Sequence, residues 1–315
     1  MLALLLTLVA AGCGQGREGS AGGTSADAAG ELSGRIQADG SSTVGPFTTA
    51  AAERFRAVQP DVQVTVGVSG TGGGFERFCR GETDLSNASR PIKDEEAEIC
   101  EQNGIEFVEF QVANDALTVV VNPGNDWVDC LTVEQLKTIW GPGSKVANWR
   151  DVDASFPDQR LRLFGPGTDS GTFDYFTAEI NGEEGASRSD YAASEDDNTI
   201  VTGVSGEVGG LGYFGFSYFE ENQDTLKALA IDGGDGCVEP SAAAAQDGTY
   251  TPLSRPLYLY AKQESFTRPE VEEFIRFALD NETEIAEAAQ YVPMTEEQLD
   301  QAHSDFEAAL EEVGA

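Results

Sequence analysis

The sequence is poor in basic residues and holds a single histidine. Among 315 residues, 19 are Lys or Arg and 55 are Asp or Glu, so the formal net charge is −36. Such a chain lacks the clustered cations with which proteins bind nucleic-acid phosphates or an anionic membrane surface. With His303 as its one histidine, the sequence also argues against a histidine-based zinc site and a histidine-dependent catalytic triad. We therefore predict no nucleic-acid partner, no metal and no cofactor.

Long apolar runs are absent after the first twelve residues, which excludes a polytopic membrane protein. Residues 1–12 read MLALLLTLVAAG, a short apolar stretch ending in small residues, and are typical of a secretion signal. Together with Cys13, this stretch resembles a bacterial lipobox, whose cysteine is lipidated. An ordinary secretory signal followed by a chance cysteine is the alternative. Both interpretations predict an exported protein, in the periplasm or lipid-anchored at the outer face of the cell membrane.

The segment after the cysteine differs in composition from the rest of the chain. Residues 14–33 are rich in Gly, Ser and Ala and show no apolar periodicity, which predicts a flexible tether. Hydrophobic residues make up 40% of the whole chain, enough for packed cores. At about 150 residues per domain, the length predicts two domains.

Four cysteines remain in the body of the chain, and an even number in an exported protein favours disulfides. Four cysteines allow three pairings, of which we favour Cys79–Cys100 and Cys130–Cys237. The first pair is close in sequence and flanks one predicted helix–strand unit, and the second pair closes a long loop. Free buried thiols are the alternative.

Strand and helix patterns alternate along the body, which predicts an α/β fold with a parallel sheet. Residues 62–68 alternate as a strand, and residues 47–58 have helical spacing. The segments 105–112 and 116–122 are predicted as two strands in close succession. Further helices are predicted at 75–80, 131–140, 173–180, 269–280, 282–290 and 295–312.

Three glycine-rich loops each follow a predicted strand and precede a predicted helix. They read GSSTV at 40–44, SGTGGG at 69–74 and GPGTDSGT at 165–172. Glycine lets the backbone approach a ligand, Ser and Thr add hydroxyl donors, and a helix start exposes unpaired N–H groups. Three such loops favour an oxyanion site built from neutral dipoles. Three purely structural helix caps are the alternative.

From residue 34 onward the chain resembles the substrate-binding proteins of bacterial phosphate ABC transporters, the PstS family. The resemblance rests on GSSTV (40–44), VSGTGGGF (68–75), DLSNASRPIK (84–93), TVVVNPGNDWVDCLTVEQLKTIW (118–140), GPGTDSGTFDYF (165–176) and SEDDN (194–198). It implies a two-domain periplasmic-binding-protein fold of type II-like architecture, with two chain crossovers and the ligand in the cleft between domains. The expected domains are 34–113 plus 257–315, and 114–256.

The resemblance also implies a function and its partners. We expect the protein to bind inorganic phosphate without chemistry and to deliver it to the permease subunits of an ABC transporter. We expect a monomer that reaches the membrane through its lipid anchor. The residues expected to contact phosphate are Ser42, Thr43, Val44, Thr71, Ser89, Arg90, Asp169, Ser170, Gly171, Thr172 and Arg188.

Two positions depart from the pattern of the well-known branch of this family. Ser89 stands where that branch has an aspartate that accepts the proton of hydrogen phosphate, and Pro166 stands where it has an arginine. We therefore infer that Arg90 supplies the guanidinium, with Arg188 as the second candidate. Asp169 and Asp197 are the candidates to replace the aspartate.

Other functions stay open at this point. Without the aspartate, another tetrahedral oxyanion such as sulfate is the first alternative ligand. A serine hydrolase is a weaker alternative, because the run Asp169-Ser170-Gly171 is similar to that of chymotrypsin-like proteases but His303 lies in a Glu-rich helix far along the chain. A calcium loop at 194–198 and an adhesin or structural role are further alternatives. The excess of carboxylates favours a salt-rich habitat.

Overall fold

The computed structural model describes residues 32–168 and 170–314. The predicted signal, Cys13, nearly all of the tether and Asp169 lie outside the described residues. Within those ranges, no helix is long and apolar enough to cross a membrane.

The described chain alternates strands and helices, as predicted. The strands are β1 (Ser33–Gly40), β2 (Asp61–Val66), β3 (Leu85–Ala88), β4 (Phe107–Val121), β5 (Cys130–Thr132), β6 (Arg162–Pro166), β7 (Ala192–Ser194), β8 (Gly210–Gly215), β9 (Lys227–Ala228), β10 (Ala230–Asp232), β11 (Cys237–Val238) and β12 (Ser254–Lys262). The helices are α1 (Gly45–Val58), α2 (Gly70–Cys79), α3 (Asp94–Gln102), α4 (Val133–Trp140), α5 (Trp149–Val152), α6 (Gly171–Phe176), α7 (Asp197–Gly206), α8 (Phe216–Glu221), α9 (Ala242–Gln246), α10 (Pro269–Asp280), α11 (Glu282–Ala288) and α12 (Glu296–Val313).

The main sheet is mixed, whereas the sequence predicted a parallel one. Its strand order is β2-β1-β3-β12-β4-β8-β6-β7, and β9 pairs with β4. β1 runs parallel to β2 and β3, and β6 runs parallel to β7 and β8. The two middle strands, β4 and β12, run antiparallel to their neighbours. The βαβ units therefore lie at the two sides of the sheet, and two strands distant in sequence join them.

β4 is one continuous strand, although the sequence predicted two. Its first part pairs with β12 and its last part with β8. Asn114 and Asp115 interrupt the apolar pattern in its middle, but both side chains find partners there. The amide of Asn114 donates to Gln298, and the carboxylate of Asp115 accepts from Arg255. Because these polar groups are satisfied, the strand continues through them.

Two hydrophobic cores lie on either side of this middle region. The first packs α1, α10 and α12 against β1, β12 and the start of β4, and the second surrounds Trp140, Trp149 and Tyr213. Along β4 the first core ends at Ala113 and the second begins at Leu117. The predicted domain boundary between residues 113 and 114 falls beside this change of core.

Both expected disulfides are present. Cys79 is bonded to Cys100, with 4.3 Å between their Cα atoms, and joins α2 to α3. Cys130 is bonded to Cys237 across a sequence separation of 107 and joins β5 to β11 in the small sheet. The pairing predicted from the spacing is confirmed.

The second glycine-rich segment is mostly helix rather than loop. α2 begins at Gly70, where the sequence predicted a start at residue 75. A Cβ atom on Gly74 would lie only 2.5 Å from the Cα of Gly40 in β1. The glycine there allows the helix to lie directly against the strand, which is a packing role that the loop prediction missed.

Candidate functional site

The first loop joins β1 to α1 and is bent by one serine. Ser41 Oγ accepts the backbone N–H groups of Thr43 at 3.2 Å and Val44 at 3.4 Å. The N–H of Ser41 in turn donates to the carbonyl of Asn87 at the end of β3, at 2.9 Å. The Val44 side chain is fully buried in the first core, and Thr43 is 8% exposed. The loop is thus fixed to its neighbours on both sides.

The second loop and the end of β3 lie against the first loop. The N–H of Ser69 donates to the carbonyl of Gly40 at 3.1 Å. The buried carboxylate of Asp39, one residue before Gly40, accepts hydrogen bonds from Ser69 and from Arg77 in α2. These contacts tie β1, the second loop and α2 together.

Thr71 and Ser89, both predicted to contact the ligand, lie side by side. Their hydroxyl oxygens are 3.1 Å apart, and the N–H of Ser89 donates to Thr71 Oγ1 at 3.3 Å. A pair of hydroxyls that bond to each other can turn toward an anion with little backbone movement.

The third loop, after β6, reaches the first loop. Ser170 caps α6, because its Oγ accepts the N–H of Thr172 at 3.2 Å. A Cβ atom on Gly171 would lie 3.1 Å from Thr43 Oγ1 and 3.3 Å from Ser42 Oγ. A cavity of about 780 Å³ opens at this junction, and its lining includes Ser42, Thr43, Gly171 and Thr172. The first and third segments therefore converge at this cavity, and the second segment lies against the first through the hydrogen bond from Ser69 to Gly40.

The two predicted arginines have other partners. The terminal nitrogens of Arg90 donate to both carboxylate oxygens of Glu96, at 2.8 and 2.7 Å. Arg188 is buried beside α4. Its Nη1 donates to the carbonyls of Ile139 and Val146, both at 2.9 Å, and its Nε donates to Asp190. These contacts use all three guanidinium nitrogens of Arg188.

Arg255 in β12 lies at this junction, although no sequence motif indicated it. It stands opposite Asp115 of β4, and its Nε lies 3.3 Å from Asp115 Oδ2. Its Nη2 donates to Thr43 Oγ1 at 2.9 Å, and its guanidinium carbon lies 3.5 Å from the ring centroid of Tyr175 in α6. The sequence offered little signal for it, because 14 of the 19 basic residues are arginine.

Burial governs the electrostatics around Arg255. Burial raises the pKa of Asp115, and the adjacent Arg255 opposes that rise. Burial also raises the pKa of Asp174 and Glu179, and Arg255 again acts in the opposite direction. A single guanidinium therefore offsets several carboxyl groups at the point where the loops meet.

The sequence and the fold were compared with known proteins. The chain matches the PBP superfamily domain over residues 23–282. It is 40% identical to the phosphate-binding protein PstS of Staphylococcus saprophyticus over 288 residues, which cover 91% of this chain and 88% of that protein. This chain belongs to the PstS family of phosphate-binding proteins.

Two further proteins are similar to this chain. Protein SphX of Synechococcus elongatus is 49% identical over 262 residues, which cover 82% of this chain and 77% of that protein. The crystal structure titled as a possible phosphate binding protein from Planctomyces limnophilus superposes with a TM-score of 0.86 and 48% identity, covering 89% of this chain and 99% of that one. The fold resemblance inferred from the motifs is confirmed.

One carboxylate on the cavity wall of this PstS-family protein has a strongly altered acidity. Asp197 begins α7 and lines the same cavity as Thr43 and Thr172. Burial, with the nearby charges of Asp196 and Glu195, raises the pKa of Asp197 to about 6. Its charged form is therefore less favourable in the folded state than in the unfolded chain.

We expect Asp197→Asn to stabilise the fold at neutral pH. A carboxyl whose pKa is higher in the folded than in the unfolded chain costs stability as the pH rises from about 4 to about 6. Allowing for partial solvent exposure, the free energy of unfolding of the variant should be about 1 to 2 kcal/mol higher than that of the parent at pH 7. At pH 4 the two values should be about equal. Urea denaturation at both pH values measures this. Asp300→Asn, at an exposed position of α12, is the control. An equal gain of Asp197→Asn in unfolding free energy at pH 7 and pH 4 would contradict the raised pKa of Asp197.

Proposed function

We propose that the protein binds inorganic phosphate outside the cytoplasm and delivers it to the permease of an ABC transporter. One observation carries this proposal: the Ser, Thr and Gly segments of the first and third strand–helix connections meet at one cavity, with Gly171 against Thr43, and the second connection is bonded to the first. Many neutral donors in direct contact can hold an oxyanion inside an acidic protein, because screened charges at a distance act more weakly.

Binding is coupled to closure of the cleft in this proposal. Residues 34–113 and 257–315 form one domain, residues 114–256 form the other, and β4 and β12 carry the chain between them. The first and second loops belong to the first domain and the third loop to the second. Because neither set of donors satisfies the anion alone, phosphate increases the population of the closed arrangement.

In this proposal the protein binds its ligand without catalysing a reaction. Ser170 Oγ caps α6 by accepting a backbone N–H. His303 lies on α12, where its Nε2 is 3.9 Å from Asp280. A serine nucleophile needs a base within hydrogen-bond reach, and the described contacts of these two residues give each of them a different partner.

Anchoring at the membrane is proposed from the sequence alone. Cys13, after the apolar stretch 1–12, is the proposed lipidation site of an exported monomer. Mass spectrometry of the protein extracted from membranes tests this. A lipid-modified peptide that begins at Cys13 is expected, and an unmodified N-terminus downstream of it would contradict the proposal.

Titration calorimetry with phosphate, sulfate and arsenate between about pH 5 and 9 tests the proposed ligand. We expect one phosphate per chain and no comparable affinity for sulfate, with no hydrolysis of a phosphate ester in parallel assays. Sulfate is the second candidate, because Ser89 replaces a carboxylate that would discriminate against it. A protein that prefers sulfate in mildly alkaline buffer, or binds neither anion, would overturn the phosphate assignment.

A further inference from the structure

Arg255 differs from the other arginines of the site in how few of its donors are used. A guanidinium carries five N–H groups. Arg90 uses both terminal nitrogens on Glu96, and Arg188 uses its donors on backbone carbonyls and Asp190. Among the described residues, Arg255 makes two hydrogen bonds, through Nε to Asp115 and through Nη2 to Thr43.

The side chain of Arg255 is largely buried. Its side chain is 17% exposed, and that of its partner Asp115 is 7% exposed. Nη1 has no acceptor among the described residues and is free to donate to a ligand. An oxyanion beside it would supply the missing acceptors in the bidentate geometry that a guanidinium favours.

The plane of the guanidinium is held by three elements. Asp115 fixes Nε from β4, Thr43 fixes Nη2 from the first loop, and the ring of Tyr175 in α6 lies against the guanidinium carbon at 3.5 Å. The hydroxyl of Tyr175 donates to the carbonyl of Pro252 at 2.7 Å, which fixes the ring in turn. Such a group is ordered before the ligand arrives, so little conformational entropy is lost on binding.

Arg255 lies next to the junction of the first and third loops. Thr43 Oγ1, which accepts from Arg255, is the same atom that a Cβ on Gly171 would approach to 3.1 Å. Asp115 lines the cavity together with Ser42, Thr43 and Thr172. The guanidinium therefore contacts the first loop through Thr43 and α6, which follows the third loop, through Tyr175.

We propose that Arg255 is the charged residue that binds the phosphate, in place of Arg90 and Arg188. This inference rests on the proposed function and names the cation of the same site. Arg255 supplies its unused N–H groups to the anion, while Asp115 keeps its Nε fixed. Because β12 crosses between the two cores, the same residue links the first loop to α6 when the anion is bound.

Titration calorimetry of Arg255→Gln with phosphate tests the proposal, with Arg90→Gln as the matched control. Loss of a charged donor from a buried anion should weaken binding about 30-fold or more, whereas Arg90→Gln should stay within about 3-fold of the parent. Phosphate binding within about 3-fold of the parent by Arg255→Gln would overturn the inference. A parent that binds no phosphate would instead overturn the proposed function.

Arg255→Gln leaves Asp115 without its counter-charge. A second pair of variants therefore tests the inference in case Arg255→Gln does not fold. The double variant Asp115→Asn with Arg255→Gln removes both charges, and should fold and still bind at least about 30-fold more weakly. Arg255→Lys keeps the charge but loses the planar fork, and should bind at least about 5-fold more weakly. Parent-like affinity in either protein would overturn the inference.

Discussion

Gly171→Val is expected to weaken phosphate binding by about 100-fold or more while the free energy of unfolding changes by about 1 kcal/mol or less. The first added carbon would lie 3.1 Å from Thr43 Oγ1 and 3.2 Å from the backbone nitrogen of Thr43. The valine methyl groups would extend further into that space. The first and third loops could then no longer meet around an anion, but no core packing is lost. Calorimetry with phosphate and urea denaturation give the two quantities.

Two comparisons make this prediction specific. Gly171→Ala should show an intermediate loss, because its Cβ is tight but can be accommodated by shifts of a few tenths of an ångström. Gly206→Val is the control, since a Cβ on Gly206, at the end of α7, meets nothing within 4 Å. Parent-like affinity in Gly171→Val would show that the two loops do not enclose the ligand.

Gly74→Ala is expected to cost about 3 kcal/mol of unfolding free energy. The new Cβ would lie 2.5 Å from the Cα of Gly40 and 3.0 Å from the carbonyl oxygen of Asp39. Both are backbone atoms of β1, so α2 must move away from the strand as a whole. That movement also separates Asp39 from Ser69 and Arg77, and phosphate binding should weaken with stability.

Gly72→Ala, two residues earlier in α2, is the matched control. Its Cβ would make ordinary contacts, at 3.7 Å to Glu96 Oε1 and 3.8 Å to Arg90 Nη2. Alanine is favoured over glycine in a helix, so this variant should gain up to about 1 kcal/mol. Thermal or urea unfolding of Gly74→Ala and Gly72→Ala measures both effects. Equal effects of the two substitutions would contradict the close approach of α2 to β1.

The elements with strong local signals were predictable from the sequence. The helix predicted at 131–140 is present as α4, and Thr132 caps it by accepting the N–H of Gln135. The helix predicted at 295–312 is present as α12, and Thr295 caps it. Local hydrogen bonds and periodicity determine such elements, so a single sequence carries the information.

Features that depend on distant partners were not predictable. β4 continues through Asn114 and Asp115 because Gln298 and Arg255, far along the chain, satisfy them. α2 begins early because Gly74 packs on β1, a contact that no local pattern records. The glycine-rich loops indicated the candidate site, since donors cluster there in sequence. The position of Arg255 was not predictable because this residue reaches the candidate site from a strand, through the pairing of β12 with β4.

The structure of the phosphate complex is the most direct test of the account. We expect one anion between the first and third loops, within hydrogen-bond distance of Thr43, Gly171 or Thr172, and Arg255, with Thr71 and Ser89 turned toward it. Phosphate bound elsewhere, or bound at one loop with Thr43 and Gly171 far apart, would contradict the central claim that the three loops form a single anion site.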